Sequence, residues 1–305
     1  MAINRSTAIV AVPTKIRRGV ADLITGIITV EGLIGAGKTT LCKTLEERLG
    51  GSLIGGREIV FVPEPVDVWS TFVDTDGTPI LTLFYANPSK WAFTFQMMAY
   101  ISRLAALKNV RNENPDAIIV AERSLEADRY VFAQMLLDDG CINTVDHKVY
   151  THWFDTFASE YCPDIVLYLD TPVDIAESRI LSRARSGEDP IKRSYLESLA
   201  AYTNRWLNTS SGVRTSKLPL PSIVLPACHE RCIRSVADIA DDAVAEIFNY
   251  ARRHPLSVAE AYKSSRRHTI QCRIAELTAD IDVLHQELTS LKSATPVSEV
   301  ELNCA

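Results

Sequence analysis

Residues 32–39 read Gly-x-x-x-x-Gly-Lys-Thr, and the residues on either side give that octapeptide its meaning. Before it, residues 26–31 are Gly-Ile-Ile-Thr-Val-Glu, a β-branched run that predicts a short buried strand. After it, a helical pattern continues to about Leu49. Strand, glycine-rich turn and helix in that order are the context the Walker A pattern requires. The glycines let the backbone wrap tightly enough to aim several N–H groups at phosphate oxygens, and the helix start adds partial positive charge. Gly32, Gly35, Gly37 and Thr40 then form a cradle in which Lys38 reaches the β- and γ-phosphates and the Thr39 hydroxyl ligates Mg²⁺. ATP and Mg²⁺ are therefore the expected cofactors. The motif selects a nucleotide and leaves the reaction open, because GTPases, ATPases and kinases all carry it.

Further apolar runs follow at residues 58–62, 117–121, 165–169 and 222–225, with helical stretches between them, among them residues 91–109. Strands alternating with helices predict an α/β fold, a five-stranded parallel sheet covered on both faces by helices. This domain spans residues 22–253, after a flexible segment 1–21 and before a helical extension 254–305. In the extension, Ile270, Ile274, Leu277, Ile281, Leu284, Leu288 and Leu291 step by four and three. Ile274, Ile281 and Leu288 occupy a positions, and Ile270, Leu277, Leu284 and Leu291 occupy d positions. A coiled coil and an amphipathic helix packed on its own domain both fit that seam.

The formal net charge of −6 provides no global basic field for nucleic acid or an anionic membrane, and no apolar run reaches the ~18 residues of a membrane span. Arg5, Lys15, Arg17 and Arg18 give the N-terminus the charge of a mitochondrial transit peptide, but its Arg and Ser content is thin. A cytoplasmic location is the expectation. The cysteines are seven and irregularly spaced, and Cys228 and Cys232 have no second ligand pair at zinc-finger distance. They read as free thiols in a reducing compartment.

Four more segments narrow the reaction. Val62-Pro63-Glu64-Pro65-Val66-x-x-Trp69 follows the second strand, and Tyr85-x-Asn-Pro-x-Lys-Trp-Ala-Phe-x-Phe95-Gln96 opens the long helix. Glu122-Arg123-Ser124, continuing to Asp128-Arg129-Tyr130-x-Phe132, follows the third strand, and Arg179-x-x-x-Arg183-Ala-Arg185-Ser-Gly-Glu188 comes after the fourth. Together with the phosphate loop, these motifs resemble the deoxynucleoside kinase family over residues 27 to about 207. The tail lies outside the resemblance.

The resemblance implies phosphorylation of the 5′-hydroxyl of a deoxyribonucleoside by a homodimeric enzyme of nucleotide salvage. It implies that Glu64, at a strand end where α/β sheets bind ligands, accepts the hydroxyl proton. Glu122 would help Thr39 hold Mg²⁺, and Arg123 would hold the 5′ end of the nucleoside. Arg179, Arg183 and Arg185 would form a lid whose charges stabilise the transferring phosphoryl group. Tyr85 and Glu188 would bind the sugar 3′-hydroxyl, and Phe95 and Phe132, with Trp69 nearby, would sandwich the base. Gln96 offers a donor and an acceptor to the base edge. Arg103 lies two helical turns beyond Gln96 and so shares its face. With Asp128 it would form the pair that, in the family, meets the amino edge of cytosine or purines and disfavours thymidine. Two other readings fit part of the pattern. A nucleoside monophosphate kinase shares the loop and arginine lid without the Glu64 and Glu122-Arg123-Ser124 motifs, and a kinase fold can also serve as a non-catalytic structural subunit.

Overall fold

The computed structural model describes residues 25–183, 191–208, 222–226 and 235–256, and most positions between 270 and 290. Five strands run parallel: β1 (Ile27–Gly32), β3 (Arg57–Val62), β4 (Ile118–Glu122), β5 (Ile165–Asp170) and β6 (Ser222–Pro226). They stand in the order β3-β4-β1-β5-β6. A two-residue strand, β2 (Leu53–Ile54), extends the β3 edge in antiparallel pairing. Periodicity cannot reveal so short a strand, but its turn, Gly55-Gly56 with φ of 61° and 79°, has the left-handed backbone that a tight hairpin requires. Every position of β1 and β4 is buried, as expected of central strands covered on both faces.

One face of the sheet packs on α1 (Lys38–Leu49), α8 (Val173–Arg183), α9 (Arg193–Asn208) and α10 (Val236–Arg253). The other packs on α4 (Pro88–Glu113) and α7 (Thr144–Phe157). Helix α4 exceeds the predicted 91–109 at both ends. The Asn87 side chain caps it by accepting from the Lys90 N–H at 3.2 Å, and Pro88 takes the first turn, where no N–H is needed. Short helices α2 (Val66–Ser70) and α3 (Ile80–Ala86) fold over the mouth between β3 and α4. After β4 come α5 (Leu125–Ala127), a π-helical turn at Asp128–Ala133, and α6 (Gln134–Asp138). At the opposite end of the strands, the Asp164 carboxylate accepts from the Thr25 and Gly26 N–H groups and from the Tyr250 hydroxyl (3.2, 2.7 and 2.5 Å), tying α10 to the start of β1.

In the tail, the described seam residues Ile270, Ile274, Leu277, Ile281 and Leu284 are helical and 45–61% exposed; Leu288 and Leu291 lie outside the described residues. Among the described residues, no helix is long and apolar enough to cross a membrane.

Candidate active site

The phosphate loop leaves β1 at Gly32 and enters α1 at Lys38. Gly35 has φ 78°, and a Cβ there would lie 2.4 Å from the Ala176 carbonyl of α8, so a side chain is excluded on both counts. The Lys38 ammonium donates to the Leu33 carbonyl at 2.9 Å, and the Thr39 hydroxyl donates to Glu122 Oε1 at 2.7 Å. Arg179 donates to the Ala36 carbonyl at 2.8 Å, fixing α8 against the loop. Burial, and then the nearby Arg123 charge, push the Lys38 pKa down to about 8, against the pull of Glu64, Glu122 and Glu31.

The strand ends beside the loop carry a cluster of opposed charges. Glu64 follows β3, and its Oε1 lies 3.0 Å from Arg103 Nη2 and 3.4 Å from Arg123 Nε. Burial works against its charge, but Arg103, Arg123 and Lys38 outweigh burial and hold the carboxyl at about 2. Arg103, only 2% exposed, projects from α4. It donates from Nε to Asp128 Oδ2 at 2.9 Å and from Nη1 to the Glu122 carbonyl at 3.0 Å. Burial raises the Asp128 pKa against the opposing pull of Arg103. Arg103 thus bridges Asp128 to Glu64, a second partner 39 residues away that the helical spacing gave no hint of.

Sequence reasoning also missed Glu31, the penultimate residue of β1. It is 1% exposed, accepts the Ser124 N–H at 2.6 Å and lies 3.6 Å from Arg123 Nη1. Burial raises its pKa, with Arg123 opposing. The one available signal is an acid in a β-branched strand immediately before the phosphate loop.

Beyond the cluster the cavity opens into an aromatic slot. Phe95 meets Trp69 edge-on at 5.5 Å and stacks on Phe84 at 4.8 Å, and the Trp69 indole N–H donates to Ser102 Oγ at 2.9 Å. Across the arginine cluster, the Arg123 guanidinium lies 4.8 Å from the Phe132 ring. Gln96 is 2% exposed and its Oε1 has no hydrogen-bond partner. A buried acceptor of that kind costs about 1–3 kcal/mol unless a ligand supplies the donor.

The phosphate loop, the Glu64–Arg103–Asp128–Arg123 cluster and the aromatic slot share one cavity of about 510 Å³. Lining it are Gly35, Gly37, Lys38, Thr39, Thr40, Glu122, Arg179 and Arg183 from the phosphate side, and Glu64, Trp69, Tyr85, Phe95, Gln96, Arg103, Arg123, Asp128 and Phe132 from the other. Gly32 lies behind it, its carbonyl 3.3 Å from Arg123 Nη2. Arg185 and Glu188, expected in the lid, and the Cys228–Cys232 pair fall outside the described residues.

A phosphate loop and an aromatic slot meeting at a row of strand-end charges define a P-loop kinase with a nucleoside-sized acceptor site. The deoxynucleoside kinase family model matches residues 28–237. A probable deoxycytidine kinase of fowlpox virus is 33% identical over 187 residues, covering 60% of this chain and 72% of the viral protein. Deoxycytidine kinase 1 of Xenopus laevis is 31% identical over 201 residues, 59% of this chain and 73% of its own length. A deoxyadenosine/deoxycytidine kinase of Bacillus subtilis is 30% identical over 215 residues, 70% of this chain and 90% of its own. The chain belongs to the deoxynucleoside kinase family and is an enzyme of that class.

Proposed function

We propose that this kinase transfers the γ-phosphoryl group of ATP to the 5′-hydroxyl of a deoxyribonucleoside, with deoxycytidine and purine deoxynucleosides preferred to thymidine. The observation that carries this reading is the position of Glu64. It sits in the cavity wall between the Lys38–Thr39 loop and the slot that ends at Gln96 and Asp128. A nucleoside whose base fills the slot directs its 5′ end toward Glu64, which accepts a hydrogen bond from the attacking hydroxyl and takes its proton as the new P–O bond forms. Arg123 steadies that end of the nucleoside. Lys38, Arg183 and Arg185 face the charge that spreads over the phosphoryl oxygens, with Arg179 bracing the loop. Tyr85 and Glu188 hold the sugar. Thr39 and Glu122 are hard oxygen donors 2.7 Å apart, a set suited to Mg²⁺. When bound there, the ion neutralises phosphate charge. Among the described residues, Cys42, Cys141 and Cys162 are in no disulfide, which fits a reducing compartment such as the cytoplasm.

Base choice follows from the Arg103–Asp128 pair. A cytosine or adenine amino group donates to Asp128, whereas thymine presents a carbonyl there and brings its methyl group into the space of the pair. One buried polar group left unpaired costs about 1–3 kcal/mol, so kcat/KM for deoxycytidine exceeds that for thymidine by about five- to a hundredfold. The double variant Arg103→Met with Asp128→Ala admits thymidine. Because Arg103 also holds Glu64 at 3.0 Å, that variant is slower on every substrate, and the ratio of kcat/KM values is the readout. Asp128→Ala alone leaves the Arg103 cation in the slot and shifts the ratio less. A coupled assay of ADP release with the four deoxynucleosides and with deoxycytidine monophosphate tests the whole reading. Wild-type preference for thymidine would remove Arg103 and Asp128 from the base site, and turnover of the monophosphate alone would make the protein a nucleoside monophosphate kinase.

Self-association has two candidate surfaces. On α7, Val145, Val149, Trp153 and Phe157 recur every fourth residue and are exposed, with Trp153 stacked on Phe157 at 5.7 Å. That stripe suits the same helix of a second copy. The tail seam suits a parallel, in-register pair. Ile at two of the three a positions and Leu at three of the four d positions favour two parallel strands, and such pairing sets Asp280 at g against His285 at e′. An antiparallel pair centred on the seam would instead set Asp280 against itself. Deleting residues 263–305 lowers the number of chains per particle, read from light-scattering mass corrected for the deleted residues, without loss of turnover, and adding Trp153→Glu to the deletion gives a monomer. An unchanged number of chains after the deletion, with Trp153→Glu alone already monomeric, would mean that the seam does not join copies.

A further inference from the structure

Arg123 is the one non-glycine residue with positive φ (70°) among the described residues. A left-handed conformation is strained for such a residue and persists only where the surroundings impose it. Two hydrogen bonds impose it here, both to the end of β1. The Arg123 N–H donates to the Val30 carbonyl at 3.0 Å, and the next N–H, that of Ser124, donates to the Glu31 carboxylate at 2.6 Å. Ser124 then caps α5 by accepting the Ala127 N–H at 3.0 Å. The consequence of the sharp turn is that successive side chains leave β4 toward different partners. Glu122 reaches Thr39 at 2.7 Å, while Arg123 reaches back between Glu31 at 3.6 Å and Glu64 at 3.4 Å.

We infer that Glu31 is a positioning residue of the phosphoryl-transfer site, holding the strained Glu122-Arg123-Ser124 turn through one carboxylate oxygen and aiming the Arg123 guanidinium through the other. Glu31 does not line the cavity, so it acts through Arg123 and touches no substrate. Its carboxylate balances Arg123 from behind. Without it, the guanidinium keeps Glu64 as its nearest anion and is drawn onto the carboxylate that must receive the nucleoside hydroxyl. This inference rests on the kinase reading above, and wild-type turnover of deoxycytidine in the same assay tests that reading separately.

Glu31→Gln isolates the effect, because the amide oxygen still accepts the Ser124 N–H while the charge facing Arg123 is gone. The expected result is a loss of about ten- to a hundredfold in kcat/KM for deoxycytidine, the scale of a small misplacement of a reacting group. ATP affinity by calorimetry and the far-ultraviolet circular dichroism spectrum stay at wild-type values. On an Arg123→Met background, Glu31→Gln changes single-turnover rate and deoxycytidine binding, followed by intrinsic tryptophan fluorescence, by less than about twofold, since the residue it acts through is absent. An equal fold-loss on both backgrounds overturns the inference. So does unchanged kcat/KM in Glu31→Gln, or a loss accounted for by unfolded protein.

Discussion

Glu64→Gln lowers turnover at least about a hundredfold, the usual scale for removing a general base, while folding and ATP binding persist. Folding persists because each cation around Glu64 has another partner. Arg103 keeps Asp128 at 2.9 Å, Arg123 keeps Glu31 at 3.6 Å, and the glutamine oxygen still accepts from Arg103. Turnover falls because the amide cannot take a proton. Held at about 2, Glu64 is fully ionised at neutral pH and is a weak base toward a resting hydroxyl. That suits a loose phosphoryl transition state, in which the hydroxyl becomes acidic only as the bond to phosphorus forms. The depressed pKa also makes a stability statement. A carboxyl lying below its ordinary 4.5 stabilises the fold above that pH and loses the contribution as pH falls toward 2. Urea titrations therefore find Glu64→Gln less stable than wild type at pH 7, with the gap closing in acid. Near-normal turnover in the variant would remove Glu64 from the chemistry.

Lys38→Ala costs about a hundred- to a thousandfold in phosphate transfer, the range for losing a preorganised charge aimed at the transition state, and leaves deoxynucleoside binding detectable. The lysine donates to the Leu33 carbonyl of the loop, and the base slot is built by other residues. Its lowered pKa adds a pH signature with a definite sign. Depressed from 10.5 to about 8, the ammonium is lost from the ligand-free enzyme as pH rises through about 8. ATP affinity in wild type thus declines above that pH, and binding there takes up a proton, because bound phosphates restore the charge. Calorimetry in two buffers of different ionisation enthalpy measures that uptake. It is absent in Lys38→Ala, and a wild-type affinity flat to pH 9.5 together with normal activity in the variant would contradict the role.

What the sequence disclosed and what it withheld divide by the range of the signal. The phosphate loop, the parallel strands and the strand-end motifs are local patterns, and each can be read within about ten residues. That Arg103 shares a face with Gln96 was legible because a helix fixes which side chains point the same way, whereas its pairing with Asp128, on a different element, came only from the family resemblance. The Arg103–Glu64 contact was not legible, since it depends on how closely α4 packs on the end of β3. Glu31 was hidden by its setting, because one acid in a β-branched run reads as part of a strand until Ser124 and Arg123 are placed beside it. The π-helical turn at Asp128–Ala133 departs from α-helical periodicity by less than one residue per turn, below what apolar spacing can register. In the tail, the seam was plain in the sequence, yet a heptad alone cannot say whether the second helix belongs to the same chain.

The bridging position of Arg103 bears on how such an enzyme can change over evolutionary time. In a pocket where one set of residues selects the base and another performs the chemistry, a lineage can drift toward a new nucleoside by substitutions that leave the rate intact. On the proposed assignment a single guanidinium serves both tasks, so the first step toward a thymidine-using descendant weakens the hold on Glu64. Descendants that broaden their diet need a second cation to hold Glu64 more closely, and Arg123, 3.4 Å away, is already placed to do so. The order of mutations is therefore constrained, with reinforcement around Glu64 preceding the loss of Arg103.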